Sequence, residues 1–391
     1  MKLYNELKNG DVYQNWNKFI RLTQVTDEDA GDITENGGKR LVNLSIMIWS
    51  LLNGTRFLSS VFWNSECPHL MGHTMTMLGN ASRLMALCGG IFFSQSALFR
   101  FMCMRLNSSG KMVFMRTVKS MQKDEKREKV ARNLLVVDVV LSSQIMVAAI
   151  LLLTGMLYLN VAASGGWLSI CLWIVWYGVD ILSALISSTD AVTMSVMWIL
   201  VVQNYRMDMT NLLASSARLT RRLKRRSSMR TRQCFNRAHK SYARLTAQAV
   251  HVNDMCAPLL FVYLLCATPI ACTQLFLAMN SNSVVAYVPA PIAFCVTAMM
   301  IGTLLSIAGR TTDSADWIFD ALATFAARSL EADCLTTGQR IQLLVMMEET
   351  ESLAVYTMDG EKFTSLSFLS FVLETMLQYT LLITFKDVLT K

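Results

Sequence analysis

Long apolar stretches alternate with short charged segments along the 391 residues of the chain. Each stretch holds about twenty residues or more with almost no charge, which is the length that an α-helix needs to cross the hydrocarbon core of a bilayer. The pattern therefore predicts an all-α membrane protein with seven transmembrane helices. The predicted spans cover 41–63, 75–104, 134–159, 166–204, 255–279, 284–309 and 364–385.

The basic residues between the spans predict the orientation of the chain. Segment 105–133 carries nine Lys or Arg and segment 205–250 carries twelve, whereas the connections 64–74, 160–165 and 280–284 carry none. Basic loops stay in the cytoplasm, so both basic segments are expected inside. Counting outward from them places the amino terminus inside and the carboxyl terminus outside.

Two segments are expected to extend beyond the bilayer as cytoplasmic helices. Two inside loops are separated by an even number of crossings, so 134–159 and 166–204 each cross once. At 1.5 Å per residue the second of these is too long for the bilayer alone and is expected to continue as one helix. Segment 310–362 does not cross, and its two amphipathic patterns, near 314–332 and 337–353, predict a helical anchor.

Composition agrees with a membrane protein and argues against a nucleic-acid partner. Hydrophobic residues make up 53% of the chain and charged residues 16%, whereas a soluble domain carries about a quarter charged residues. The net charge is +8, but Lys and Arg flank the spans instead of forming one basic domain. The ten cysteines form no CxxC pair and are interpreted as small buried hydrophobic residues.

Signatures of enzymes and cofactor sites are absent from the sequence. There is no GxSxG, HExxH, Walker or Rossmann motif, so the chain is expected to be no enzyme and to bind no cofactor. His69 and His73 have a spacing that would suit a metal if they lay on a helix. Pro68 and Gly72 predict an irregular loop there instead, so no metal site is expected.

Aromatic and amide residues gather toward the predicted outer half of the spans. Four candidates for ligand binding share one helical face of the fourth span: Trp173, Trp176, Tyr177 and Asp180. Three further candidates lie elsewhere: Tyr158, Gln274 and Tyr287. An apolar pocket with a few polar groups is typical of ligand sites. Two alternatives stay open, an interfacial aromatic belt and, for Asp180, a structural ion pair with Arg56 or Arg83.

The last span is unusually polar for a helix that faces lipid. Glu374 and Gln378 are four residues apart and share a face, which bulky apolar side chains continue toward the carboxyl terminus. This arrangement suits a helix that lines a water-filled pore with a hydrophobic gate. The candidate pore and gate residues are Glu374, Gln378, Tyr379, Leu381, Leu382, Thr384 and Phe385. The alternative is that the polar groups hold this helix against its neighbours.

The end of the chain resembles the gustatory receptors of arthropods, whose superfamily also contains the insect odorant receptors. That family ends with the pattern TYhhhhhQF in its seventh helix, where h is a hydrophobic residue. This chain has Gln378-Tyr379, a spacer at 380–383 that is one residue short, and then Thr384-Phe385. The size, the inverted seven-helix topology, the basic loops and the short final tail are also similar to the family.

The resemblance implies a tetrameric, ligand-gated, non-selective cation channel in the plasma membrane. Four seventh helices would line the pore of a homo- or heterotetramer, with Thr384 and Phe385 near the gate. A tastant or other chemical would bind within each subunit. The domains expected are a cytoplasmic segment, a six-helix ligand-binding bundle, a cytoplasmic anchor, and the pore helix with its outer tail: 1–40, 41–309, 310–362 and 363–391.

Two other classes of membrane protein are alternatives. A G-protein-coupled receptor would place its amino terminus outside, and therefore both basic loops outside, and the sequence shows neither a DRY-like run after the third span nor NPxxY in the seventh. A secondary transporter would show two similar halves and spans broken by Gly or Pro. The chain has five prolines and no visible repeat.

Overall fold

Helices account for nearly all of the computed structural model. It describes residues 11–23, 33–62, 68–73, 82–223, 228–280, 289–358, 360–364 and 366–384. Within these ranges the regular extended structure is one antiparallel bridge between Tyr356 and Lys362. The helices are α1 Val12–Thr23, α2 Ile33–Phe62, α3 Pro68–Met71, α4 Ser82–Ser108, α5 Phe114–Met121, α6 Glu125–Ala162, α7 Trp167–Leu223, α8 Ser228–Asn280, α9 Pro289–Glu331, α10 Thr337–Glu348 and α11 Ser367–Thr384, and a 3₁₀ turn covers Glu349–Leu353.

Six helices in the described part of the chain are long and apolar enough to cross a membrane. They are Leu41–Phe62, Ser82–Ser108, Glu125–Ala162, Trp167–Arg221, Met229–Met279 and Ala290–Glu331. Each overlaps one of the first six predicted spans, so the all-helical membrane architecture is confirmed. The crossing by the seventh helix and the orientation of the termini stay predictions.

Three of these helices are much longer than a bilayer is thick. Helix α7 has 57 residues, α8 has 53 and α9 has 43. At 1.5 Å per residue, α7 is about 85 Å long, against a hydrocarbon core of about 30 Å. The predicted continuity of the fourth span is therefore confirmed.

Helix α9 joins two elements that the sequence pattern separates. The predicted sixth span and the amphipathic helix near 314–332 form one uninterrupted helix. Thr311, Thr312 and Ser314 lie at the junction, and their hydroxyls donate to carbonyls four residues earlier at 2.7, 3.4 and 2.8 Å. Because these polar side chains are satisfied within the helix, they do not end it.

Helix ends follow local capping chemistry. The Asp124 carboxylate accepts a hydrogen bond from the backbone N–H of Lys126 at 3.0 Å and caps α6. Thr336 and Gln339 form a reciprocal capping box at the start of α10. One helical turn, Pro68–Met71, replaces the irregular loop expected there, and it ends at Gly72 with φ +65°.

The chain divides into two compact units. Unit 1 comprises the described residues within 1–197, 259–303 and 370–391. Helices α2 and α4 pack closely in it because Gly54 and Gly90 lack side chains: a Cβ on Gly54 would lie 2.4 Å from Ser94 Oγ. The adjoining core contains Phe57, Phe93, Leu153, Phe276 and Leu277.

Unit 2 comprises the described residues within 198–258 and 304–369. Tyr205 donates to the carbonyl of Leu353 at 2.8 Å, and the Asn253 amide bonds Ala354 O at 3.0 Å and Tyr356 N at 3.2 Å. The predicted anchor 310–362 therefore packs against the ends of α7 and α8 that carry the basic segment 205–250.

Candidate functional site

A cavity of about 470 Å³ lies between the helices of unit 1. Its wall is built mainly from aromatic and aliphatic side chains, among them Phe57, Phe92, Leu152 and Ile270. Among the described residues that line it, none carries a charge. Both the volume and the apolar wall are typical of small-molecule sites, which occupy about 300–1,000 Å³.

A few polar side chains interrupt this apolar wall. Gln274 on α8 accepts a hydrogen bond from the Thr297 hydroxyl on α9 at 3.3 Å. Gln144 on α6 is exposed, whereas Gln95 on α4 is only 3% exposed. The Gln95 Nε2 atom finds no hydrogen-bond partner within the described ranges. The described wall of the cavity thus offers a small number of amide and hydroxyl groups and no charged side chain.

A buried ion pair lies next to the cavity. Arg100 on α4 donates to both carboxylate oxygens of Asp190 on α7, from Nε at 2.7 Å and from Nη2 at 2.8 Å. Its Nη1 donates to Asn43 at 2.9 Å, and the Ser96 hydroxyl donates to Asp190 at 2.5 Å. Ala191, the next residue on α7, lines the cavity. The charges are therefore satisfied by each other beside a neutral chamber.

A second ion pair joins α2 to α7. Asp180 accepts a hydrogen bond from Arg56, the first of its two candidate partners. The Arg56 guanidinium also lies over the Trp176 ring, 4.5 Å from its centroid. The Trp176 indole N–H donates to the carbonyl of His69 at 3.0 Å. Gly72 fits beside them because a Cβ there would lie 2.4 Å from the Trp176 ring.

The seven candidate ligand residues are distributed over several surroundings. Only Gln274 of the described candidates lines the large cavity. A separate space of about 10 Å³ is lined by Trp173, Tyr177 and Asp180, which is room for about one water molecule. Tyr158 is 74% exposed, and Tyr287 lies outside the described residues. Ligand contact by Trp173, Trp176, Tyr177, Asp180, Tyr158 and Tyr287 stays a prediction.

Sequence reasoning did not single out several residues that line the cavity or lie next to it. Gln95 and Arg100 interrupt the apolar pattern of α4, and a polar or charged residue within a membrane span is a signal of function or pairing. Phe92, Phe93 and Cys88 carry no such signal, because aromatic residues and cysteines occur throughout the spans. Their place in the wall depends on which face of α4 meets its neighbours.

Helix α11 carries the candidate pore residues from Glu374 to Thr384 and packs against α8. Gln378 donates to Glu374 at 3.3 Å, which confirms that the two side chains share a face. The Cys272 thiol on α8 donates to Gln378 Oε1 at 3.2 Å, and Tyr379 packs against the core cluster. Leu381 is 49% exposed and Thr384 is exposed. The Leu382 side chain and Phe385 lie outside what the structure describes.

The structure is similar to solved structures of an insect olfactory receptor. Olfactory receptor OR5 from Machilis hrabei in complex with eugenol matches with a TM-score of 0.62 and 10% sequence identity, over 96% of this chain and 100% of that chain. Another structure of OR5 matches with a TM-score of 0.61 and 10% identity, over 95% and 99%. The chain has the insect olfactory receptor fold. No protein-family model and no curated protein matches its sequence.

The similarity establishes the architecture across nearly the whole chain. The solved neighbours are structures of an insect olfactory receptor, and they agree with the resemblance at the level of the fold. The eugenol complex is a property of OR5. The gustatory type stays a prediction that rests on the end of the seventh helix together with the size, the predicted topology, the basic loops and the short final tail of the chain.

Proposed function

We propose that this chain is a chemosensory receptor of the gustatory type that acts as a ligand-gated, non-selective cation channel in the plasma membrane. The observation that carries the proposal is the neutral cavity of about 470 Å³ in unit 1. Its support is the fold, which is shared with an olfactory receptor solved with eugenol. A small chemical ligand would occupy the cavity within each subunit.

The proposed assembly is a homo- or heterotetramer whose seventh helices line the pore. The face of α11 that carries Glu374 supports this role, because a carboxylate is costly against lipid and suits a pore that conducts cations. Unit 2 leaves large apolar side chains uncovered in the single chain, with Trp317 56%, Ile341 58% and Leu344 62% exposed. Such side chains are suited to contacts between subunits.

One helix connects the cavity to the proposed pore. On α8, Ile270 and Gln274 line the cavity. Cys272 lies between them and donates its thiol hydrogen to Gln378 of α11. A ligand that displaces the cavity wall would therefore move the segment that holds the pore helix. This contact is the proposed route from binding to opening.

The test is a current recording from cells that express the full chain, with eugenol and a panel of other neutral volatile compounds as probes. Ala267 is buried, lines the cavity and lies on α8, so Ala267→Trp should fill the site and abolish any response. Leu265→Trp is the matched control, because Leu265 lies on the same helix, is 56% exposed and does not line the cavity. Equal responses from both variants would contradict the proposed ligand site.

The gate and the orientation are tested separately. Phe385→Ala should raise the current without ligand, because a bulky side chain near the proposed gate is removed. Unchanged basal and evoked currents in a well-expressed variant would contradict that role. Epitope tags at Met1 and Lys391 should be accessible inside and outside, respectively. The reverse result would favour the G-protein-coupled alternative.

A further inference from the structure

The amide of Gln95 is a buried polar group of the cavity wall whose N–H donors have no acceptor in the described part of the chain. Gln95 on α4 lines the cavity and is only 3% exposed to solvent. No acceptor for its Nε2 atom lies within hydrogen-bond distance in the described part of the chain. A buried donor without a partner destabilises its surroundings, so a ligand that supplies an acceptor gains affinity.

Neighbouring groups do not compete for this amide. Ser96 and Arg100, on the same helix, are engaged with Asp190. Gln274, in another part of the wall, accepts from Thr297. The terminal torsion of a glutamine is broad, so the amide can turn toward the chamber without leaving a favourable side-chain conformation. Gln95 is therefore a buried polar group of the wall that remains available to an occupant.

The rest of the wall restricts the chemical class of that occupant. The described lining residues include no charged side chain, and an ion would lose its hydration without gaining a counter-charge. A sugar would need many hydrogen-bond partners, while the wall is dominated by aromatic and aliphatic groups. A neutral, mostly apolar molecule with one acceptor oxygen matches both the wall and the amide.

We infer that the cavity selects neutral apolar ligands that carry a carbonyl, ester or ether oxygen, and that the Gln95 amide is the group that recognises this oxygen. The inference rests on the proposed function in one respect, namely that the cavity is the ligand site. It goes further by naming the ligand class and the residue that determines specificity.

The test compares two probes that differ at one position. Acetophenone has a carbonyl oxygen where cumene has a methyl group, and the two molecules are otherwise similar in size and branching. Binding of each to the purified full-length chain is measured by displacement of a neutral fluorescent naphthylamine. Gln95→Met removes the amide at nearly constant length. Gln248→Met is the matched control, at an exposed glutamine that does not line the cavity.

The expected result is a change in the ratio of the two dissociation constants. Gln95→Met should weaken acetophenone relative to cumene by about tenfold, as expected for the loss of one buried hydrogen bond. Gln248→Met should leave the ratio unchanged. If both probes bind and the ratio is the same in wild type and Gln95→Met, the inference is overturned while the cavity remains a ligand site.

Two further outcomes separate the inference from the proposed function. If neither probe displaces the dye from the wild-type chain, the cavity is not the ligand site, and both fail together. If Gln95→Met binds neither probe, the same ratio is measured on Gln95→Leu, in which cumene binding reports an intact cavity. A normal ratio in that variant also overturns the inference.

Discussion

Two buried arginine–aspartate pairs lie in the described part of unit 1, and they differ in how completely each arginine is hydrogen-bonded. Arg100 uses Nε and Nη2 on Asp190 and Nη1 on Asn43, and its side chain is 4% exposed. Arg56 uses Nη2 on Asp180, while its Nε and Nη1 atoms have no hydrogen-bond partner in the described ranges. Aromatic rings of Trp176 and Phe57 face the Arg56 guanidinium instead.

The difference indicates two uses of a buried charge. A pair in which each guanidinium nitrogen makes a hydrogen bond is held in one geometry. Removal of one member leaves an uncompensated charge in a medium of low polarity. A pair that relies partly on ring faces can tolerate change, because a cation–π contact requires less exact geometry than a bidentate hydrogen bond. We therefore interpret Arg100–Asp190 as structural and Arg56–Asp180 as the pair more open to a functional role.

The largest effect is expected from Asp190→Asn. Loss of the carboxylate charge leaves Arg100 buried without a counter-charge, which should lower the free energy of unfolding by about 3–5 kcal/mol. Thermal unfolding of the purified protein in detergent measures this. The double variant Arg100→Met with Asp190→Leu is the control and should be more stable than Asp190→Asn. A single variant as stable as wild type would contradict the structural interpretation.

A smaller loss is expected from Asp180→Asn. Arg56 is already partly unpaired and is 11% exposed, so the cost should be about 1–3 kcal/mol. We also expect altered ligand sensitivity with unchanged ion selectivity, because Asp180 belongs to the predicted ligand face. Both variants are compared in the same unfolding assay and by current recording. Equal destabilisation by Asp180→Asn and Asp190→Asn would remove the distinction between the pairs.

The ring contact of Arg56 can be isolated with Trp176→Phe. This change removes the hydrogen bond to His69 O and weakens the cation–π contact, which together should cost about 1 kcal/mol. A double-mutant cycle with Arg56→Met measures the coupling between the two side chains. Strict additivity would mean that the ring does not stabilise the guanidinium.

The solvent-accessible pair Lys362–Glu351 in unit 2 is expected to contribute the least to stability among the ion pairs compared. Their side-chain hydrogen bond of 2.6 Å lowers the pKa of the Glu351 carboxyl and raises the pKa of the Lys362 amine. Lys362→Gln should therefore have the smallest effect on the melting temperature, because water screens an exposed pair. The control is Lys240→Gln, at an exposed lysine.

The pH dependence of this pair follows from the two shifts. The contribution of Glu351 is present above the ordinary glutamate pKa and is lost as pH falls through its lowered pKa. The contribution of Lys362 is present below the ordinary lysine pKa and is lost as pH rises through its raised pKa. The difference between wild type and Lys362→Gln should thus vanish at both extremes. A difference that persists in strong acid would contradict the assignment.

The side-chain pairs of the site differ in how far the sequence alone predicts them. The shared face of Glu374 and Gln378 follows from helical spacing, and their hydrogen bond agrees with it. Asp180 was expected to pair with Arg56 or Arg83, and the structure selects Arg56. The Arg100–Asp190 pair was not foreseen, since the two residues are 90 positions apart and on different helices.

The sequence alone determined which segments are apolar helices and which side chains share a face of each helix, because hydrophobic length and the 3.6-residue period are local properties. The packing of the helices decided which faces meet. That packing placed Gln95 and Gln274 in the wall of one cavity and left the candidate ligand face around Asp180 outside it. Close interhelical contacts such as that of Gly54 with Ser94 determine how near the helices approach each other. These contacts join residues that are far apart in the chain.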